Sequence, residues 1–491
     1  MAFAMDGVQV FKSSNYAIWP LFCTINELPF HLKAFFMTLN ALWFGMEKPN
    51  PNAFCKPFVD ETIQLFRTGF KWLDKSNNVV RVSRVLFPIA IADAPARAML
   101  LNFMQFNGSY GCHYCEHPGI SVIKGDGHVR VFPITFPIPP LRDSKTTLLH
   151  AVAAINSGEK HIYGVKEFSI LSLIPEFDLI NGTIPDIMHG VFLGIVKHFL
   201  TIWLDSTGKP YSFMAKHLDE ALRDIKLPDE ILRMYRSEKY GKSWKASELR
   251  NFLLFFSPVI LKSLLPNVFY RHWLYLVNCC RLLQKKSMTQ EDLQHARILA
   301  LAFLGQIPDL YGVEHVSYNV HLLNHIVEGV DNWGAPWAYS AFLYEDAGGN
   351  MKTQFHGSKL ETKMNIEHRV ERSLKAIVKF KYEKLFAGEI IAVENCKDYG
   401  QLSMLRTLFP EVPIMALTGT KNLLRQSKQF SSLLLENPHF FLTSCIRGNL
   451  ILQLITKSTL VKNLKNIVEI IQEIHETDYG IIYCSSRNVY E

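Results

Sequence analysis

The chain has 491 residues, 48% of them hydrophobic and 20% charged, with a net charge of +7. That composition excludes a disordered polypeptide and allows a large core in about two to four domains, while so modest a charge permits a nucleic-acid partner without demanding one. No uncharged apolar run approaches the roughly 18 to 20 residues of a membrane span and no basic segment precedes Asp6, so the reading is an intracellular chain with neither signal peptide nor transmembrane segment.

In chain order, short apolar runs at 3–5, 16–28 and 35–44 predict three strands. Trp19-Pro20 would place the second at an edge or a bulge, because proline donates no ladder hydrogen bond. Asp6 falls on or just past the first strand. Helical spacing follows over 57–72, and a fourth strand is expected over 79–92. That strand delivers Asp93 at its end, ahead of an Ala/Leu/Met helix. Asp93 before Ala-Pro-Ala suits a helix N-cap; the other reading is a metal ligand, since an unpaired carboxylate at the end of a buried strand loses its solvation.

Nine scattered cysteines with one Cys-x-x-Cys, at Cys112 and Cys115, argue for reduced thiols and a metal site over a disulfide framework. Far downstream stands His321-x-x-x-His325. Together the two half-sites supply the four ligands of a closed tetrahedral zinc site. Between them, 185–204, 244–263, 267–286 and 289–305 have helical spacing, the last opening on the cap-like Thr289-Gln-Glu-Asp292. His189 and His198, nine residues apart, read as ordinary polar helix positions. Gly241-Lys242-Ser243 lacks the first glycine of a phosphate-binding loop, Arg236 standing there instead.

The order Asp6, Asp93, Cys112-x-x-Cys115, His321-x-x-x-His325, Glu345 resembles the catalytic core of CACTA-group DDE transposases, relatives of the Transib transposases and of the V(D)J recombinase catalytic subunit. The wording of Asp6-Gly-Val-Gln-Val-Phe-Lys-Ser-Ser14, Asp93-Ala-Pro-Ala-Arg-Ala98, Pro185-Asp-Ile-Met-His-Gly-Val-Phe-Leu-Gly194 and Phe342-Leu-Tyr-Glu-Asp346 looks like the tnp2-like branch, over roughly residues 1 to 385. The resemblance implies a ribonuclease-H-like α/β core with a large helical insertion. In it, Asp6, Asp93 and Glu345, chosen over Asp346, would hold Mg²⁺ or Mn²⁺ for phosphodiester chemistry. Zn²⁺ on Cys112, Cys115, His321 and His325 would staple the insertion's entrance to its exit. The implied partner is double-stranded DNA, bound by a homodimer or larger assembly in the nucleus.

Basic residues crowd the region after Glu345. Lys352, Lys359, Arg369, Arg372 and Lys379 are candidate DNA contacts, the alternative being a solvated helical face balanced by Glu367, Glu371 and Glu383. Beyond about residue 390, Asp398-Tyr-Gly-Gln-Leu-Ser-Met-Leu-Arg406, Phe409-Pro-Glu-Val-Pro-Ile-Met-Ala-Leu-Thr418 and Gly480-Ile-Ile-Tyr-Cys-Ser-Ser-Arg487 resemble the middle of a RecQ-type DNA helicase, without its phosphate-binding loop. The expected organisation is 1–135 first part of the core, 136–315 helical insertion, 316–390 His half-site with catalytic and basic helices, and 397–491 a partial helicase motor lobe. Because the chain starts a few residues before Asp6, a truncated transposase copy is expected. The alternatives are a catalytically dead DNA-binding remnant and a RecQ-like helicase fragment.

Overall fold

The computed structural model describes residues 1–10, 16–74, 77–223, 225 and 244–352. The chain divides into two units, Met1–Glu389 and Ile390–Glu491. The helicase-like stretch and the candidate DNA contacts Lys359, Arg369, Arg372 and Lys379 lie outside the described residues.

The front unit is mixed α/β. Its sheet is built from β1 (Ala2–Met5), β2 (Val8–Gln9), β3 (Ala17–Thr24), β4 (Thr38–Gly45), β7 (Ile89–Ile91) and β10 (Thr183–Ile184). Strand β3 lies in the interior, antiparallel to β1 and β2 on one side and to β4 on the other. On the far edge of β1, β7 and then β10 run parallel to it. β1 and β7 are buried at every residue, as strands covered on both faces must be. Phe3 anchors the core, its ring 5.2 Å from Phe58 and 5.8 Å from Phe177.

Three sequence expectations shift. The strand expected over 79–92 is two: β6 (Val79–Ser83) pairs with β5 (Phe70–Asp74) as a separate exposed ribbon, and only Ile89–Ile91 enters the main sheet. Pro88, which cannot donate to a ladder, separates them. After the single-turn α1 (Phe30–Lys33), helix α2 spans Pro51–Arg67 in place of 57–72, because Asn50 caps it by accepting from Ala53 N at 3.0 Å and Pro51 fits the first turn. Trp19-Pro20 lies on an interior strand, and the irregularity of β3 falls beside it, between Leu21 and Phe22.

After α3 (Ala94–Leu100) come the hairpin β8 (Ile120–Lys124) and β9 (Gly127–Val131), then α4 (Ser144–Ser157). Past β10, a π-helical segment Met188–Val196 continues as α5 (Lys197–Asp205), followed by α6 (Ala215–Arg223). Next, α7 (Ala246–Asn251) runs through a second π segment, Phe252–Phe256, into α8 (Ser257–Leu264). Helices α9 (Asn267–Leu283) and α10 (Gln290–Tyr311) pack together, and Thr289 and Asp292 form the cap that opens α10. Trp203 and Trp273, rings 4.8 Å apart, centre this helical part. The described chain closes with α11 (Tyr318–Trp333) and α12 (Phe342–Lys352). Among the described residues no helix is long and apolar enough to cross a membrane.

Candidate active site

The first strand is broken where its carboxylate sits. Met5 lies opposite Leu21 and Val8 opposite Ile18, an unchanged register that sets Asp6 and Gly7 opposite Pro20 and Trp19. Pro20 has no N–H to offer, so the ladder lapses at Asp6. A Cβ on Gly7 would lie 2.6 Å from the Trp19 ring, so only glycine fits there. On the parallel neighbour, Ala4 pairs with Ile91, and two residues beyond each stand Asp6 and Asp93. Asp93 is a helix cap as well: its Oδ1 accepts from Ala96 N at 2.7 Å at the start of α3.

Asp6 and Asp93 line one recess with Val8, Phe22, His189 and Glu345. Helix α12 brings Glu345 over the sheet, held by Tyr344, whose hydroxyl meets Thr24 Oγ1 at 2.7 Å. At Gly348 an added Cβ would come within 3.1 Å of Val8. Asp346, exposed as Glu345 also is, is not among the lining residues. One ligand atom each of Asp6, His189 and Glu345 lie within 4.8 Å of one another.

A buried carboxylate outside the expected set ties these parts together. Asp186, two residues past the end of β10, accepts from His189 N at 2.9 Å in the manner of a helix cap and from His189 Nδ1 at 2.8 Å. Its other oxygen accepts from Ala341 N at 2.9 Å and from Ser340 Oγ at 3.4 Å, immediately before α12. His189 Nε2 then stands 3.5 Å from Glu345 Oε1. One side chain thus fixes both the imidazole and the helix that carries Glu345. His189 lies in the π-helical segment, a geometry that often marks a functional position. Sequence spacing gave His189 an ordinary polar role; the signal that could have found it is Asp-x-x-His following a short buried strand.

The recess is overloaded with acid. Burial, the neighbouring Asp93 and the bond to Glu345 push the Asp6 carboxyl up to about 8. The bond to His189 draws Glu345 below its usual range, outweighing the partial desolvation of a side chain that stays 42% exposed. Burial disfavours charge on His189, but the bonds to Asp186 and Glu345 outweigh it and raise the imidazole to about 11. Three carboxyl groups facing one imidazolium are a hard-oxygen donor set short of positive charge, and a divalent cation fits it.

A second cluster is built on a clamped loop. Arg142 Nε donates to the carbonyls of Cys112 and Cys115, both at 3.1 Å, and its Nη2 donates to Tyr163 O at 2.6 Å. From α11, His321 Nε2 approaches Cys115 Sγ at 3.3 Å and His325 Nε2 at 3.2 Å. The four ligand atoms lie within 4.8 Å of one another, and bonds of about 2.0 to 2.3 Å around a tetrahedral ion need separations near these. His325 Nδ1 bonds Glu328 Oε2 at 2.7 Å, which fixes the ring with Nε2 turned to the cluster. Burial opposes ionisation of Cys112, but the bond from Cys115 and the two imidazoles hold its thiol well below the ordinary range. Arg97, buried between the two sites, donates to His113 Nδ1 at 3.0 Å and to Tyr318 Oη at 2.8 Å. Lys352, the remaining candidate DNA contact, ends α12 and is half-buried.

Among characterised proteins, the chain is 36% identical over 96 residues to the RecQ-like DNA helicase blm-1 of Caenorhabditis elegans, covering 19% of this chain and 10% of that protein. It is 38% identical over 91 residues to the RecQ-like DNA helicase BLM of Xenopus laevis, covering 18% and 7%. With the ATP-dependent DNA helicase RecQ of Pasteurella multocida the figures are 33% over 96 residues, 19% and 14%. The chain therefore spans about a tenth of the length of these relatives. Residues 1–132, which carry Asp6, Asp93, Cys112 and Cys115, match the model of the transposase family tnp2, and in this front part the chain is similar to transposases.

Proposed function

We propose that the front unit is a DNA transposase core with a ribonuclease-H-like fold, in which Asp6, Asp93 and Glu345 hold Mg²⁺ or Mn²⁺ for strand cleavage and strand transfer. The observation that carries this reading is the convergence of Asp6, His189 and Glu345 at the end of β1, in one recess with Asp93 from the parallel neighbour. Bound there, divalent cations would activate an attacking oxygen and stabilise the leaving one. The protein's own part is placement: the break opposite Pro20 frees Asp6 from the ladder, the cap bond orients Asp93, and Asp186 through His189 holds Glu345. The order β4-β3-β1-β7-β10, antiparallel then parallel, supports the ribonuclease-H-like assignment. Cys112, Cys115, His321 and His325 would hold Zn²⁺ in a structural role. The partner is double-stranded DNA, taken by a dimer or larger assembly in the nucleus.

The test is nicking of supercoiled plasmid by the purified full chain in Mn²⁺. Cleavage lost in Glu345→Gln and in Asp6→Asn supports the reading. If no divalent ion supports cleavage, the remnant reading gains, and Mn²⁺ binding by paramagnetic resonance then asks whether the recess still takes a cation. A second reading, ATP-driven unwinding by a helicase-like part, draws on the RecQ similarity over about a fifth of the chain; DNA-stimulated ATP hydrolysis would carry it.

A further inference from the structure

Arg250, on α7, is a half-buried guanidinium with no carboxylate partner among the described residues. Its one hydrogen bond there is long, from Nη2 to Asn251 Oδ1 at 3.5 Å, so most of its five donors are unused. It is held by stacking, 5.6 Å from the centroid of the Phe342 ring. Phe342 opens α12 and lies three residues before Glu345, on the same side of that helix. Helix α7 also packs against the π-helical segment that carries His189. A half-buried cation without an anion is partly desolvated and uncompensated, and that burial lowers the pKa of Arg250. The nearby acids of the recess are engaged with one another and with His189, so an anion paired with Arg250 would come from outside.

We infer that Arg250 contacts a backbone phosphate of the bound DNA strand, beside the phosphate addressed by the carboxylate recess. This rests on the reading of that recess as a DNA-cleaving site and adds a specific anchor from the helical part of the fold. A planar guanidinium already stacked on an aromatic ring is pre-organised for phosphate in a way that a lysine is not. The role is one of binding and strand placement.

The test uses the full chain and a fluorescent duplex oligonucleotide, titrated in Ca²⁺ over a series of KCl concentrations. Arg250→Ala should weaken binding by about tenfold or more at low salt, as loss of a charge-assisted contact does, and lower the salt slope by about one. Arg250→Lys should keep the slope, and Arg271→Ala, which removes an exposed arginine on α9, should change neither affinity nor slope. If Arg250→Ala unfolds, Arg250→Gln, similar in shape and uncharged, carries the same comparison. Wild-type affinity and slope in the folded Ala or Gln variant overturn the inference, as does a wild-type chain that binds no DNA. A wild type that binds DNA but nicks nothing in Mn²⁺ sinks the cleavage reading alone, while the slopes still decide on Arg250.

Discussion

Replacing Asp186 tests how the recess is held. The side chain is buried and accepts four hydrogen bonds, two from His189 and two from Ser340 and Ala341 just before α12. Burial alone would raise its pKa, yet the His189 contacts and the amides hold it below the usual carboxylate range, so it is charged when folded. Asp186→Ala leaves the amides of His189 and Ala341 without acceptors and removes the closer of the imidazolium's two carboxylate partners. Removing one partner of a buried pair costs about 3 to 5 kcal/mol. At an m-value of about 3 kcal/mol/M the urea midpoint should fall by about 1 M or more. Asp186→Asn keeps the acceptor for Ala341 but turns an amide donor toward His189 N, and should cost about 1 to 3 kcal/mol. Because Asp186→Ala leaves His189 with Glu345 alone, the double variant with His189→Ala should cost less than the two single losses together. Urea unfolding followed by tryptophan fluorescence reads the wild type and all four variants. An Asp186→Ala loss below about 0.5 kcal/mol, or strict additivity in the cycle, would refute this account of the recess.

Two further outcomes follow from the clusters. With metal removed by EDTA, folded Asp6 keeps its proton up to about 8 while the unfolded chain releases it near 3.8, so the fold binds more protons across that window and loses stability as pH rises. Thermal midpoints in EDTA should therefore drop from pH 5 to pH 8, less so in Asp6→Asn, and Mg²⁺ should restore most at pH 8; equal pH profiles for wild type and Asp6→Asn would contradict it. At the other cluster, purified protein should carry about one transition-metal ion per chain, lost in Cys112→Ser or His325→Ala. Elemental analysis decides, and full metal retention in a variant lacking both residues would remove the assignment.

Much of the architecture could be read from local pattern because the signals lie close together in the chain. The run at 3–5 and the helices of the middle region follow from apolar spacing, and the cap at Thr289 from its own four residues. Cys112, Cys115, His321 and His325 stood out because paired spacing is itself the requirement for sharing one ion. What stayed hidden depends on distant partners. Val79–Ser83 has a strand's composition, but which strand it joins is decided by Phe70–Asp74 and by Pro88. Asp186 and His189 look like any polar pair at a helix start. Their significance comes from Ala341, 155 residues away, whose amide the same carboxylate accepts. Arg250 gives no sequence signal either, since its distinction is the missing anion and the ring of Phe342 beneath it.

The helix bearing His189 meets the helix bearing His321 and His325 through two glycines. A Cβ on Gly190 would lie 3.0 Å from the Leu322 side chain, and one on Gly194 would lie 2.7 Å from that of Asn319, so the side chains of one helix rest directly on the bare backbone of the other. The cysteine-histidine cluster and the acidic recess are thus carried on two helices that share one close-packed joint, and on the proposed reading an ion at either would be a term in the equilibrium of the other. Linkage makes that influence reciprocal: whatever factor an ion at the first adds to cation affinity at the second, the second returns.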